Sequence, residues 1–261
     1  KNAWISYKPE IVAEPVSEPK GIFISKKQKD EYSDRLAKFE LRSKLVIGIP
    51  RILNMYQHTP FFTAYFESLG VKPGNFVYSE FTTEEMYKAG AKRGSIDPCF
   101  PSKVAIPHIH NLLYVQNKKK QIDFIFSPIV DNMPSELEFA QAHTACPTIT
   151  ATVEAAKAAF IKEGDLFEQF QTEYVNPFIQ LFNMQMTARQ MFECFENRLG
   201  LTEEENMNAV KEGYIAYNKF INNHKEKSHE VLQRLEKEDK IGIVVLARPY
   251  HNDPGINHEI L

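Results

Sequence analysis

The feature that most constrains the fold is a repeated pairing of a short apolar run with a segment of helical periodicity. Leu45–Ile49 is a continuous apolar run, typical of a strand that is covered on both faces. Apolar residues then recur at helical spacing from Phe61 to Leu69, and Gly70 is a suitable helix stop. Phe76–Tyr78 and Asp123–Pro128 are further predicted strands. This alternation predicts an α/β fold with a doubly wound, mostly parallel sheet.

Other local signals complete the predicted elements. Pro101 suits the first turn of a helix that runs to about Val115. Thr148–Thr150 resembles one more strand, and an alanine-rich helical stretch covers 153–161. The predicted caps and stops are Thr82 with Glu85, Ser135 with Glu138, Thr202 with Glu205, and Gly200.

The pattern divides the chain into four parts. Residues 1–43 are a proline-containing linker and a charged segment, and residues 44–163 form the α/β domain. Residues 164–238 have helical periodicity and no strand signal, so we expect a helical segment there, broken or kinked at Pro177. Residues 239–261 start a second α/β unit, because 241–247 repeats the apolar character of the first strand. The missing initial methionine leads us to expect a piece of a longer polypeptide.

Composition indicates an ordinary soluble protein. With 261 residues and 43% hydrophobic residues, the chain can bury a substantial core. A formal charge of -3 gives no broad electrostatic reason to bind nucleic acid or an anionic membrane. No apolar stretch approaches the roughly 18 residues of a membrane span, and no signal peptide is evident. Three widely spaced cysteines do not make a disulfide framework, so we predict a cytoplasmic protein without membrane or nucleic-acid partners.

Two cysteines stand beside prolines where strand-like runs give way to helices. Cys99 precedes Phe100-Pro101, and Cys146 precedes Pro147. A helix N-terminus stabilises a thiolate, so this placement predicts a metal or redox site at Cys99 and Cys146. The alternative is that both are small buried hydrophobes, as free cysteines usually are. Cys194 lies among aromatic residues and is predicted to pack in the core.

A polar loop follows the last apolar run. Arg248-Pro249-Tyr250-His251 comes directly after 241–247 and leads toward a predicted helix start. A strand, a polar loop and a helix start can form an anion site, and Arg248 could contact a phosphate or carboxylate. We therefore predict that Arg248 and His251 bind a cofactor. A tight proline turn with a structural arginine is the alternative.

These motifs resemble one domain of bacterial CoA-substrate-specific enzyme activase proteins, relatives of the 2-hydroxyglutaryl-CoA dehydratase system of anaerobes. The resemblance rests on Ile47–Arg51, Asp97–Lys103, Cys146-Pro147, Arg248–His251 and Ile256–His258, and covers about 45–261. It implies ATPase activator domains upstream and an acyl-CoA or a partner dehydratase as the target. It also implies that Cys99 and Cys146 hold a [4Fe-4S] cluster.

The chain departs from the family pattern at one expected ligand. After Ser127-Pro128 a cluster-binding relative would have a cysteine, and here Ile129-Val130-Asp131 follows. The remaining ligands lie beyond Leu261 or on another subunit, or the cluster is absent. No glycine-rich phosphate loop occurs, so ATP hydrolysis is not expected in this chain. The resemblance implies a redox or iron–sulfur module that relays low-potential electrons; the alternative is a metal-free docking or ligand-binding module. The acyl-CoA substrate and the oligomeric state stay open.

Overall fold

A computed structural model describes residues 7–13, 16–21, 23–94, 99–135, 143–162 and 164–257. The strands are β1 (Ile47–Ile49), β2 (Phe76–Tyr78), β3 (Phe124–Phe126), β4 (Ile129–Val130), β5 (Glu173–Val175) and β6 (Phe178–Ile179). The helices are α1 (Lys26–Arg42), α2 (Met55–Ser68), α3 (Glu84–Gly90), α4 (Phe100–Lys103), α5 (Ala105–Asn111), α6 (Asn117–Lys119), α7 (Pro147–Ile161), α8 (Leu166–Gln169), α9 (Met184–Leu199) and α10 (Glu203–Lys237).

Four strands form a parallel sheet in the order β2-β1-β3-β5, and β4 pairs with β6 beyond it. Ile47 in the central strand β1 lies opposite Phe76 on one side and Phe124 on the other. Ile47 and Ile49 are fully buried, as expected for a parallel strand covered on both faces. The structure therefore confirms the predicted α/β fold with a parallel sheet.

Helices flank this sheet. Helix α2 packs against α10, which also contacts α9, while α5 contacts both α3 and α7. An aromatic cluster joins α2, β3 and α9: the ring of Phe66 meets those of Phe126 and Phe195 edge to face, with centroids 5.3 and 5.2 Å apart. Such pairs contribute about 0.5–1.5 kcal/mol each beyond the buried area. Within the described residues, no helix has both the length and the apolar character to cross a membrane.

Two strand predictions are wrong. Thr148–Thr150 lies in the first turn of α7, because Pro147 occupies an initial helix position and fixes a helical φ there. The region 164–238 is not entirely helical, since β5 completes the sheet and β6 pairs with β4. Pro177 stands between these two strands rather than inside a helix. β5 forms because it pairs with β3, although its local sequence gives no strand signal.

Most helix boundaries follow the sequence. Gly70 follows α2 with a φ of +100°, and Gly200 ends α9 in the left-handed region with a φ of +60°. Thr202 and Glu205 form the predicted capping box of α10. The cap of α3 is Thr83, which accepts from the Met86 N–H at 3.1 Å, so the predicted cap at Thr82 is one residue off. The predicted cap at Ser135 involves residue 138, which is outside the described residues.

The first 43 residues include segments that pack on the body of the protein. The hydroxyl of Tyr7 donates to Glu212 on α10 at 2.6 Å, and the N–H of Glu10 donates to the same carboxylate at 2.8 Å. At the end of α1, Arg42 is buried and forms a 3.0 Å ion pair with the equally buried Glu205. These contacts attach both parts of the predicted linker region to the helical layer.

The predicted strand over 241–247 forms no ladder with the described residues. This segment runs from the end of α10 to a short 3-10 turn at Pro249–Asn252, and most of its apolar side chains are exposed. The second α/β unit and the boundaries at 43, 163 and 238 stay predictions.

Candidate functional site

Polar side chains at the carboxyl edge of the sheet form one buried chain of hydrogen bonds. Ser79, directly after β2, accepts from the backbone N–H of Arg51 at 2.8 Å, and its Oγ lies 2.7 Å from Nδ1 of His108. Nε2 of His108 lies 3.0 Å from Oγ1 of Thr82. The Thr82 hydroxyl donates to Oδ2 of Asp253 at 2.9 Å. These hydrogen bonds thus link the loops after β1 and β2 to Asp253, which is far away in the sequence.

The direction of these bonds follows from the carboxylate at the end. Because a carboxylate only accepts, the Thr82 hydroxyl donates to Asp253 and its lone pair receives Nε2–H of His108. Nδ1 of His108 is then the acceptor for the Ser79 hydroxyl. Burial lowers the pKa of His108 to about 4, and the charge of Asp253 only partly opposes this effect. The imidazole is therefore neutral near pH 7. It joins the Ser79 and Thr82 hydroxyls through its two ring nitrogens.

Asp253 is fully buried and collects further donors. Its Oδ2 accepts from the Tyr56 hydroxyl at 2.5 Å and from the Thr82 N–H at 3.2 Å, and its Oδ1 accepts from the Gly255 N–H at 2.8 Å. Burial, followed by the bond to Asp253, raises the pKa of Tyr56 well above its ordinary value, so its hydroxyl stays a donor. These bonds fasten the segment Arg248–Asn257 to the carboxyl edge of the sheet.

The fit of this segment against the sheet depends on a glycine. A Cβ placed at Gly255 would lie 2.1 Å from the carbonyl oxygen of Thr82, a distance at which atoms clash. The next residue, Ile256, is 2% exposed, so buried side chains, those of Asp253 and Ile256, lie on both sides of this contact. Close backbone contact at Gly255 therefore holds the segment against the sheet, in addition to the hydrogen bonds of Asp253.

The two predicted thiols both precede helices and are exposed. Cys99 caps α4, with its Sγ 3.3 Å from the Ser102 hydroxyl, and Cys146 stands immediately before α7. The backbone N–H and the hydroxyl of Thr148 lower the pKa of Cys146, and the Ile149 N–H and the charge of Arg248 add to this. Exposure of both thiols contradicts the alternative that they are buried core residues.

The structure brings the two thiols into the neighbourhood of the Arg248–Asn257 segment. Burial raises the pKa of Tyr250, Arg248 opposes that shift, and thiolate charge at both Cys99 and Cys146 adds to it. Such electrostatic influence requires each of these three groups to lie near Tyr250. Helices α4 and α7, which the two cysteines precede, also contact each other. Three of the four predicted site residues, namely Arg248 and the two cysteines, thus lie in the surroundings of Tyr250.

His251, the fourth predicted site residue, has a local role in the structure. The backbone N–H of Arg248 donates to Nδ1 of His251 at 3.2 Å, and the imidazole packs beside Tyr250 with ring centroids 4.8 Å apart. His251 thereby closes the 3-10 turn that carries Arg248. Its predicted contact with a cofactor stays a prediction.

The thiols match the chemistry of an iron–sulfur cluster but not its full ligand number. Thiolates are the usual ligands of such clusters, and a [4Fe-4S] cluster takes about four. Among the described residues, no group of three or more histidine, cysteine or acidic side chains is arranged to hold a metal ion. Cys194, the third cysteine, packs against the core with its pKa raised to about 11 by burial. Cys99 and Cys146 are therefore the two exposed thiols among the described residues.

Sequence reasoning missed the hydrogen-bonded chain that supports this surface. No local pattern in the sequence marks His108 or Asp253 as members of this chain of hydrogen bonds. The one available signal was the set of polar residues after predicted strands, Ser79 and Thr82, where parallel sheets place their ligands.

A comparison with protein families shows the family of the chain. A family model described as the CoA enzyme activase uncharacterised domain matches residues 46–261. The chain belongs to this family. The match includes both exposed cysteines and the Arg248–Asn257 segment, and it confirms the resemblance seen in the motifs. No curated protein and no solved structure matches the chain.

Proposed function

We propose that this CoA enzyme activase domain is a redox module in which Cys99 and Cys146 are two ligands of a [4Fe-4S] cluster. The observation that carries the proposal is that two exposed thiols, each directly before a helix, and Arg248 all lie near Tyr250, in the segment that Asp253 holds at the carboxyl edge of the sheet. Ligands of open α/β folds bind at this edge. The other two thiolates would come from outside the described residues, on this polypeptide or on another subunit.

The residues of the chain have distinct tasks in this proposal. The polar groups at the start of α7 lower the pKa of Cys146 and so favour the thiolate, the form that binds metal. Arg248 adds positive charge beside a site that gathers negative thiolates. Asp253 and Tyr56 keep the segment with Arg248 in place. A bound cluster would supply a low-potential electron, for use on an acyl-CoA or a partner dehydratase.

The alternative function is a metal-free docking or ligand-binding module of the same multidomain protein. It is favoured by the ligand number, since the described residues supply only two thiols and no metal-binding group. In that case the exposed Arg248 would bind a phosphate or carboxylate of the ligand. Upstream ATPase activator domains would be the other part of the protein under either function.

Anaerobic reconstitution of the full-length protein, followed by iron and sulfide analysis, separates the two functions. The redox proposal expects about four iron and four sulfide for each cluster. It also expects loss of electron transfer to the partner in Cys99→Ala and Cys146→Ala. No iron or sulfide, together with full partner binding and activity in both variants, would instead support the docking module.

A further inference from the structure

Residues 241–246 present a run of exposed apolar side chains that is unusual for a folded protein. Ile241 is 95% exposed, Ile243 90% and Leu246 93%. Single exposed hydrophobic residues are common, whereas a contiguous group marks a surface that another structure covers. This run therefore points to an interaction surface.

The sequence of the run specifies what kind of structure covers it. Successive side chains of a strand point to opposite faces, and here Ile241, Ile243 and Val245 would occupy one face while Val244 and Leu246 occupy the other. Both faces are thus apolar, as in Leu45–Ile49. In that first run the side chains are 0–8% exposed, because β1 lies in the middle of a parallel sheet between helices.

The backbone of 241–247 is available for pairing. None of its amides or carbonyls forms a hydrogen bond with another described residue, and the segment lies along the exposed end of α10. There Gly242 approaches Leu235, and the neighbouring Val231 and Leu232 are 44% and 55% exposed. The end of α10 and the apolar run therefore form one continuous uncovered surface, which we call the 231–246 surface.

The far end of this surface is fixed in place. Arg248–Asn257 follows directly and is fastened to the carboxyl edge of the first sheet through Asp253 and Gly255. A strand formed by 241–247 would consequently direct its own carboxyl end at the carboxyl edge of the first sheet.

We propose that residues 241–247 form an inner strand of a second parallel sheet, in another α/β unit of the same polypeptide, and that the last turns of α10 pack on that unit. The carboxyl edges of the two sheets then face each other. Cys99, Cys146 and Arg248 lie in the cleft between the two units, accessible to ligands from both. This arrangement holds whether or not the thiols bind a cluster.

A sheet of a second copy of the chain fits this surface less well. The outer strands available for pairing in the first sheet are β2 and β5, and each is three residues long. Either strand could therefore pair with fewer than half of the seven residues in 241–247. Glu173 at the start of β5 also pairs with Arg198, which places charge at that edge.

Hydrogen exchange of the full-length protein, followed by mass spectrometry, tests the proposal. We expect amides of 241–247 to exchange within about tenfold of the rate of 45–49, the matched inner strand, and at least about 100-fold slower than an unprotected peptide. Exchange at the unprotected rate would overturn the proposal. So would protection that disappears on dilution together with a dimer seen by sedimentation, because that result would assign the surface to a second copy.

A substitution gives an independent test. Val244→Asp places a charge on the proposed inner strand and is expected to speed exchange of 241–247 in the full-length protein by at least about 100-fold. Ile215→Asp, at a 47% exposed position on α10, is the matched control and should leave those amides unchanged. Equal behaviour of the two variants would contradict the proposed strand.

Discussion

Removal of the Asp253 carboxylate should release the segment 248–257 from the sheet. Asp253→Ala deletes the acceptor for the Tyr56 hydroxyl, for the N–H and hydroxyl of Thr82, and for the Gly255 N–H. A hydrogen bond to a charged group contributes about 1.5–3 kcal/mol, and the sum is smaller than four such terms because freed donors regain water. We expect docking to weaken by about 3–5 kcal/mol, which corresponds to amide exchange more than about 100-fold faster over 248–257.

Hydrogen exchange measured residue by residue checks this expectation, and urea unfolding shows whether the core survives. Tyr56→Phe removes one of the four bonds and should accelerate exchange only about tenfold, in line with about 1–2 kcal/mol. Asn252→Ala is the control, because that side chain bonds only within its own turn, to the Pro249 carbonyl at 2.9 Å. Exchange over 248–257 that stays within threefold of wild type in Asp253→Ala would refute the assignment of Asp253 as the fastening residue.

Three further changes test the fold. Arg42→Met removes the cation that pairs with the buried carboxylate of Glu205 and should lower the free energy of unfolding by about 3–5 kcal/mol in urea titrations; a loss below about 1 kcal/mol would contradict the role of this pair. Burial raises the pKa of Glu67 to about 7, so its contribution to stability is lost as pH rises through that value. Glu67→Gln should therefore stabilise the protein at about pH 8 and have little effect at about pH 4, whereas an equal gain at both would rule out this titration. Gly255→Ala should unseat its segment from Thr82, seen as faster proteolysis there, and unchanged cleavage would argue against close backbone contact.

The parts of the fold that follow from the sequence are those with strong local signals. β1 is a continuous apolar run, and Gly70 marks the end of the helix that follows it. Thr202 and Glu205 form a complete capping box at the start of α10. Proline beside Cys99 and Cys146 marked the helix starts correctly, because proline is compatible with the first turn and with few other helical positions.

The parts that could not be predicted depend on distant contacts. β5 has only three residues and includes the exposed Glu173, so its strand character comes from pairing with β3. The contact between Thr82 and Asp253 joins residues 171 positions apart, and no local pattern encodes it. The neighbourhood of the thiols and Arg248 likewise results from how the last segment docks on the sheet.

The most direct test of the proposed cluster is visible absorption and electron paramagnetic resonance of the full-length protein purified anaerobically. We expect a brown protein whose dithionite-reduced form gives an iron–sulfur signal. Cys99→Ser and Cys146→Ser should abolish both features, and Cys194→Ser, which alters the half-buried third cysteine, should retain them. A colourless protein without a signal after reconstitution, or a signal that survives in Cys99→Ser and Cys146→Ser, would contradict cluster binding by these two thiols.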